Sequence, residues 1–94
     1  MMAKEWISMP DPGRSKAVAL KYYTGLPAPF LLAKAEGRLV ERFTLIAQEA
    51  GVPVLRNGPL ASALFPLDVG DYVPEEYFEI VARVFAFVKR IEET

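Results

Sequence analysis

Apolar positions along the chain change their spacing several times, and each change predicts an element. From Ala17 to Tyr23, "AVALKYY" is a run of apolar and aromatic residues suited to a half-buried strand. Asp11, Pro12 and Gly13 form a turn ahead of it, because Pro fixes φ near −65° and Gly accepts positive φ. "TGLPAP" is then a loop, and "FLLAKA" (30–35) predicts a second strand. Beyond Gly37 the period lengthens. Leu39, Val40, Phe43, Ile46, Ala47 and Ala50 recur at three- and four-residue spacing and predict one apolar helix face. Gly51 stands where a glycine would stop that helix, and Pro53 follows.

The second half is shorter in its signals until its end. "VPVLR" is long enough only for a buried strand of four or five residues, and "NGPLASALF" predicts a short helix with Pro59 near its start. The strongest helix comes last. Pro74 suits its first position, Glu75 and Glu76 its first turn, and Lys89 and Arg90 its last. Phe78, Val81, Ala82, Phe85 and Val88 fall on its inward face, so Phe43, Ile46, Val81 and Phe85 are expected in the core. Strand, strand, helix, strand, short helix and long helix make a single small α/β domain. Residues 1–10 are either an N-terminal tail or a short strand, and 11–94 form the domain.

Composition narrows the chemistry. At 94 residues, 52% hydrophobic and 24% charged, the chain is a globular domain rather than a disordered segment. It has no Cys and no His, which excludes disulfides, thiol catalysis, Ser-His-Asp chemistry and most transition-metal sites. No cofactor or metal is expected. Its six glycines are isolated, so no phosphate-cradling loop is present. No stretch approaches the roughly 18 apolar residues of a membrane span, and "MMAKEWISMPDP" lacks the apolar core of a signal peptide. A cytoplasmic protein without direct membrane insertion is expected.

Charge is placed unevenly. Residues 1–42 hold seven basic and four acidic residues, and residues 43–94 hold four and eight. The acids gather in "DVGDYVPEEYFE", which reads first as a solvated helix start and second as a surface that steers a partner. Glu75 and Glu79 share a helix face, but an exposed first turn gives no reason to split their pKa values for acid–base work. Lys16, Lys21 and Lys34 near Tyr22 and Tyr23 read as solvated lysines on a half-buried sheet. With a net charge of −1, no nucleic-acid partner is expected.

Read in order, "AVALKY", "APFLLAKAEG", "ERFTLIAQEAGVPV", "PLASALF" and "DVGDYVPEEYFEIVARVFAFV" resemble the cytoplasmic domain of the FlhB/YscU family. These are the switch proteins of the flagellar and injectisome type III export apparatus. The likeness runs from about residue 16 to residue 90 with almost no gaps. It implies a mixed, roughly four-stranded sheet surrounded by helices. It also implies a loop that cuts its own backbone, at an Asn-Pro-Thr-His sequence just before the "AVAL" strand. Aligning on Ala17 puts Pro12, Gly13, Arg14 and Ser15 at those four positions, and a one-residue slip brings Asp11 and Pro12 onto Asn-Pro. Neither alignment supplies the Asn whose amide would attack the chain, and an ionised Asp is a poor substitute. The expected domain is therefore a non-cleaving relative and not an enzyme.

The resemblance implies a protein-binding function in export, with export-apparatus components or export substrates as partners. Such a domain would be cytoplasmic, or peripheral at the membrane-embedded export gate. A small-ligand or enzymatic domain reusing the fold, or an orphan paralogue, stays open as an alternative. Two stretches are expected to expose apolar residues from loops: Pro27, Ala28 and Pro29, and Pro59, Leu60 and Phe65. The resemblance places the Ala-Pro pair near Ala82 of the last helix, where a shallow groove would form a partner-binding surface.

Overall fold

The computed structural model describes the backbone of residues 4–11 and 16–92 and the side chains of residues 16–87. Strands β1 (Lys4–Asp11), β2 (Lys16–Tyr23) and β3 (Phe30–Glu36) form a sheet in that order. β1 and β2 pair antiparallel from Lys4 opposite Tyr23 to Asp11 opposite Lys16. As the central strand, β2 is covered on both faces, and Ala17, Val18, Ala19 and Leu20 are all buried. Alternation divides their duties. Val18, Leu20 and Tyr22 join Leu31 of β3 in or against the main core, while Ala17 and Ala19 share the opposite face with Ala33 and Ala35. The register with β3 shifts between Ala19 and Leu20, which keeps Leu31 on the same side as Leu20.

The described sheet has three strands, not four, and both pairings are antiparallel rather than mixed. The expected strand at "VPVLR" is reduced to a single bridge residue, Val54. Pro53 cannot donate to a ladder, and the run is too short to extend one around it. A different segment pairs with the start of β3 on its outer edge. Gly70 N–H donates to Leu31 C=O (2.7 Å), Leu31 N–H to Asp71 C=O (2.9 Å) and Val73 N–H to Pro29 C=O (2.8 Å). Phe30 and Tyr72 form an antiparallel bridge within that contact. The edge groups of Leu31, which would otherwise template pairing with another chain, are thereby satisfied.

Helix α1 (Leu39–Glu49) ends as its sequence predicts. Gly51 adopts φ +78°, its N–H donates to Gln48 C=O and the next N–H, of Val52, reaches back to Ala47 C=O. That pair of bonds closes the helix and needs the left-handed residue between them. Its inward face is narrower than expected. Val40, Phe43 and Ala47 are half-buried, whereas Ile46 is 55% exposed and Leu39 and Ala50 lie in solvent beside it. α1 lies against a face of small residues, contributes nothing fully buried, and so needs only part of its apolar stripe.

Helix α2 (Gly58–Leu64) starts at Asn57, whose side-chain oxygen accepts from Leu60 N–H at 3.1 Å. It buries Leu60, Ala61 and Leu64. Helix α3 (Phe78–Glu92) follows a single 3₁₀ turn at Glu75–Tyr77, with Pro74 just before that turn. Val81 and Phe85 enter the core from α3, as expected, alongside Val73 from the edge segment. Phe78 and Ala82 do not; both are exposed, and the side chain of Val88 lies outside the described residues.

Candidate functional site

The turn after β2 begins the site. Leu26 N–H donates to Tyr23 C=O at 3.1 Å, and Gly25 at φ +101° supplies the conformation such a tight turn requires. This reverses the chain so that Pro27, Ala28 and Pro29 run back across the end of the sheet. Tyr22 holds them: its hydroxyl donates to Leu26 C=O at 3.2 Å, and its ring meets Phe85 at 6.4 Å with the planes tilted by 53°. From the other side the Val73–Pro29 hydrogen bond fixes the end of the segment. Proline torsions and these two anchors leave the loop little freedom to lose.

Across from it, α3 presents Phe78, Val81, Ala82 and Phe85 at positions i, i+3, i+4 and i+7, one helical face. Between the two lies a groove of about 350 Å³, lined among the described residues by Tyr22, Pro27, Ala28, Pro29 and those four. Its floor is buried, since Ala28 is 5% and Phe85 9% exposed. Its rim is open, through Phe78, Ala82 and Pro27. Among the described residues its lining is alkyl, proline and aromatic, and the one polar side-chain group there, the Tyr22 hydroxyl, donates to Leu26 C=O. Among the described residues no group of carboxylates is arranged to hold a metal ion. What such a surface can do chemically is take up an apolar side chain or short apolar segment.

The structure therefore brings Ala28, Pro29 and Ala82 into one groove, and it separates the other expected residues from it. Leu60 is 3% exposed, a core residue of α2 rather than a surface anchor, because α2 packs its Leu60, Ala61 and Leu64 into the main core. Phe65 is half-buried and enclosed by cations, with Lys16 Nζ 4.9 Å and Lys34 Nζ 5.0 Å from its ring centroid. Only Pro59 of that group is exposed. Pro12, Gly13, Arg14 and Ser15 lie outside the described residues, and Asp11 is the last residue of β1.

Two features escape sequence reasoning. Tyr22 reads as a generic sheet tyrosine, and only the turn at Gly25 brings its ring to the groove. Lys34 reads as a solvated lysine, yet its ammonium donates to Phe65 C=O (2.9 Å) and Leu67 C=O (2.7 Å). It thereby satisfies carbonyls at the end of α2, where a cation is favoured by the helix dipole. Its alternation with Val18 across the strand pair is the signal that puts it on the α2 face.

Comparison with known proteins agrees with this fold. Residues 14–88 match the model of the FlhB HrpN YscU SpaS family. The chain is 35% identical over 79 residues to the flagellar biosynthetic protein FlhB of Bacillus subtilis, covering 82% of this chain but 22% of that protein. It is 34% identical over 80 residues to the protein YlqH of the same organism, covering 84% of this chain and 86% of YlqH. Among solved structures, the cytoplasmic domain of FlhB from Shewanella putrefaciens superimposes with a TM-score of 0.83 at 26% identity, over 93% of this chain and 71% of that one. The EscU C-terminal domain superimposes with a TM-score of 0.80 at 26% identity, over 86% of this chain and 75% of that one. With a family match over most of its length and this agreement in fold, the chain belongs to the FlhB, HrpN, YscU and SpaS family and has the fold of its cytoplasmic domain.

Proposed function

We propose that this chain is a non-cleaving, FlhB-like binding module of the flagellar or type III protein export apparatus, acting at the cytoplasmic side of the export gate. Its working surface is the groove between Pro27–Pro29 and α3, which receives an apolar segment of an export-apparatus component or an export substrate. The observation that carries this reading is the groove itself: a rigid, proline-walled, apolar cleft with a buried aromatic floor and an open rim. Specific interfaces tend to centre on such apolar anchors. Membership of a family whose relatives include flagellar biosynthetic proteins and a secretion system apparatus protein supplies the class of partner. The sequence supports the non-cleaving part, since it has no His and no Asn within residues 1–56.

Ala82→Asp and Phe78→Asp test this reading. Both positions are exposed, so a charge on the rim leaves folding intact. Capture of purified export-apparatus components and export substrates should be lost with the melting temperature nearly unchanged. Undiminished capture by a folded double variant would show that the groove is not the working surface. Ala28→Asp is a poorer test, because Ala28 is buried and a carboxylate there would disturb folding itself.

A further inference from the structure

Asn57 is the only asparagine in the chain, and the residue after it is Gly58. An Asn-Gly pair carries chemistry of its own, because a backbone nitrogen with no neighbouring side chain can close on the asparagine amide. The fold holds this pair away from that reaction. Asn57 has φ −145° and ψ 83°. On a tetrahedral Cα this ψ sets Gly58 N nearly opposite Cβ about the Cα–C bond, whereas ring closure needs the two nearly eclipsed. Two hydrogen bonds keep it there. Asn57 Oδ1 accepts from Leu60 N–H at 3.1 Å, and the Asn57 main-chain carbonyl accepts from Ala61 N–H at 3.0 Å. Turning Gly58 N towards Cγ swings that carbonyl away from Ala61, so the first turn of α2 must open before the ring can close.

We propose that Asn57–Gly58 is a self-modification site guarded by the first turn of α2. When the turn opens, Gly58 N gives its proton to hydroxide and attacks Asn57 Cγ. The new C–N bond closes a succinimide, the Cγ–Nδ2 bond breaks, and ammonia leaves with a proton from water, which restores the hydroxide. Water then opens the ring. Hydrolysis at Cγ leaves an ordinary aspartate, and hydrolysis at the main-chain carbonyl leaves an isoaspartate, with the chain running through Cγ. Only water is consumed, and it has access: Asn57 and Gly58 are half-buried, and Asn57 borders an open groove beside Leu55 and Arg56. The two products act oppositely on α2. An aspartate keeps an acceptor at the cap and adds a negative charge where a helix start favours one. An isoaspartate inserts a methylene into the main chain between cap and helix, so the bonds to Leu60 and Ala61 cannot both be remade. The turn that directs Leu60, Ala61 and Leu64 into the core then stays open. The reaction records opening of α2 and is independent of the groove between Pro27–Pro29 and α3.

The full chain, warmed at mildly alkaline pH, tests this by intact mass, with isoaspartate methyltransferase labelling and peptide mapping to separate Asn57 from Gln48, the other side-chain amide. In concentrated urea the peptide holding Asn57 and Gly58 should gain one mass unit and take up the methyl label. In the native protein the same gain should be slower by roughly tenfold or more, since opening must precede each event. Gly58→Ala should suppress the gain in urea, where no fold is needed for the comparison, because its Cβ crowds the attacking nitrogen. Asn57→Asp, the direct product, should keep native circular dichroism and the parent's urea midpoint, whereas isoaspartate-bearing protein separated by ion exchange should unfold at lower urea. No gain at this pair in urea overturns the proposal. Equal rates in urea and in the native protein remove the guard and overturn it as well, and so does a Gly58→Ala variant that reacts as fast as the parent.

Discussion

Asp11 and Pro12 carry the sharpest consequence of a few atoms. On the non-cleaving reading proposed above, self-cleavage needs a side-chain amide that can attack, and alignment on Ala17 or its one-residue slip puts a proline ring or a carboxylate there instead. The purified chain should therefore remain intact for days near neutral pH, with a single mass for residues 1–94. Fragments beginning at Pro12 or Gly13 in mass spectrometry would contradict this, provided they form near neutral pH and not by the acid lability of Asp-Pro bonds. Elsewhere single side chains decide stability. Phe85 is nearly buried and packs on Tyr22, so Phe85→Ala should lower the unfolding free energy by about 3–5 kcal/mol. Ile46→Ala should cost about 0.5 kcal/mol or less, because its side chain stands more than half in solvent. Periodicity alone gives these two residues equal standing. Their difference comes from the surfaces beneath their helices, a bulky core under α3 and a layer of alanines against α1, which no local pattern records.

At the scale of elements, the sequence was most legible where backbone chemistry is local. β2, β3, α1 and its glycine stop, and α2 with Pro59 near its start all lie within a residue or two of their expected places. Each depends on a signal carried inside the element: alternation, a left-handed glycine, an N-terminal proline. The edge of the sheet was not legible, because its pairing joins Gly70–Val73 to Pro29–Leu31 across some forty intervening residues. The groove was legible only in part. Ala28, Pro29 and Ala82 meet as the family resemblance implies, whereas the burial of Leu60 depends on how α2 packs against the sheet and α3, which no local pattern records. The cap of α2 at Asn57 gives its own prediction. Asn57→Ala removes the acceptor for Leu60 N–H and should cost about 1 kcal/mol, read as a lower urea midpoint with an unchanged slope. An unchanged midpoint would mean that water serves this N–H equally well.

For the whole molecule, the layers are unequal, and so should be their motions. On one side of the sheet, Val18, Leu20 and Leu31 meet buried residues of α2 and α3, and Lys34 bolts the end of α2 to β3. On the other, α1 buries no residue completely, and it is held by half-buried Val40, Phe43 and Ala47. Local opening follows the apolar surface that must be exposed, so the α1 layer should open without the rest. Native-state hydrogen exchange should then find amides of α1, near Ile46 to Glu49, exchanging through a sub-global opening well below the free energy of global unfolding. Amides in Ala17–Leu20 of β2, buried on both faces, should exchange only through global unfolding. If both sets report the same free energy, α1 is an integral part of a single cooperative unit. The groove lies on the strongly packed side, between the β2–β3 turn and α3, so opening of α1 should leave its walls in place. On the binding function proposed above, the groove is thereby built on the strongly packed side of the domain, and the marginal layer is kept away from it.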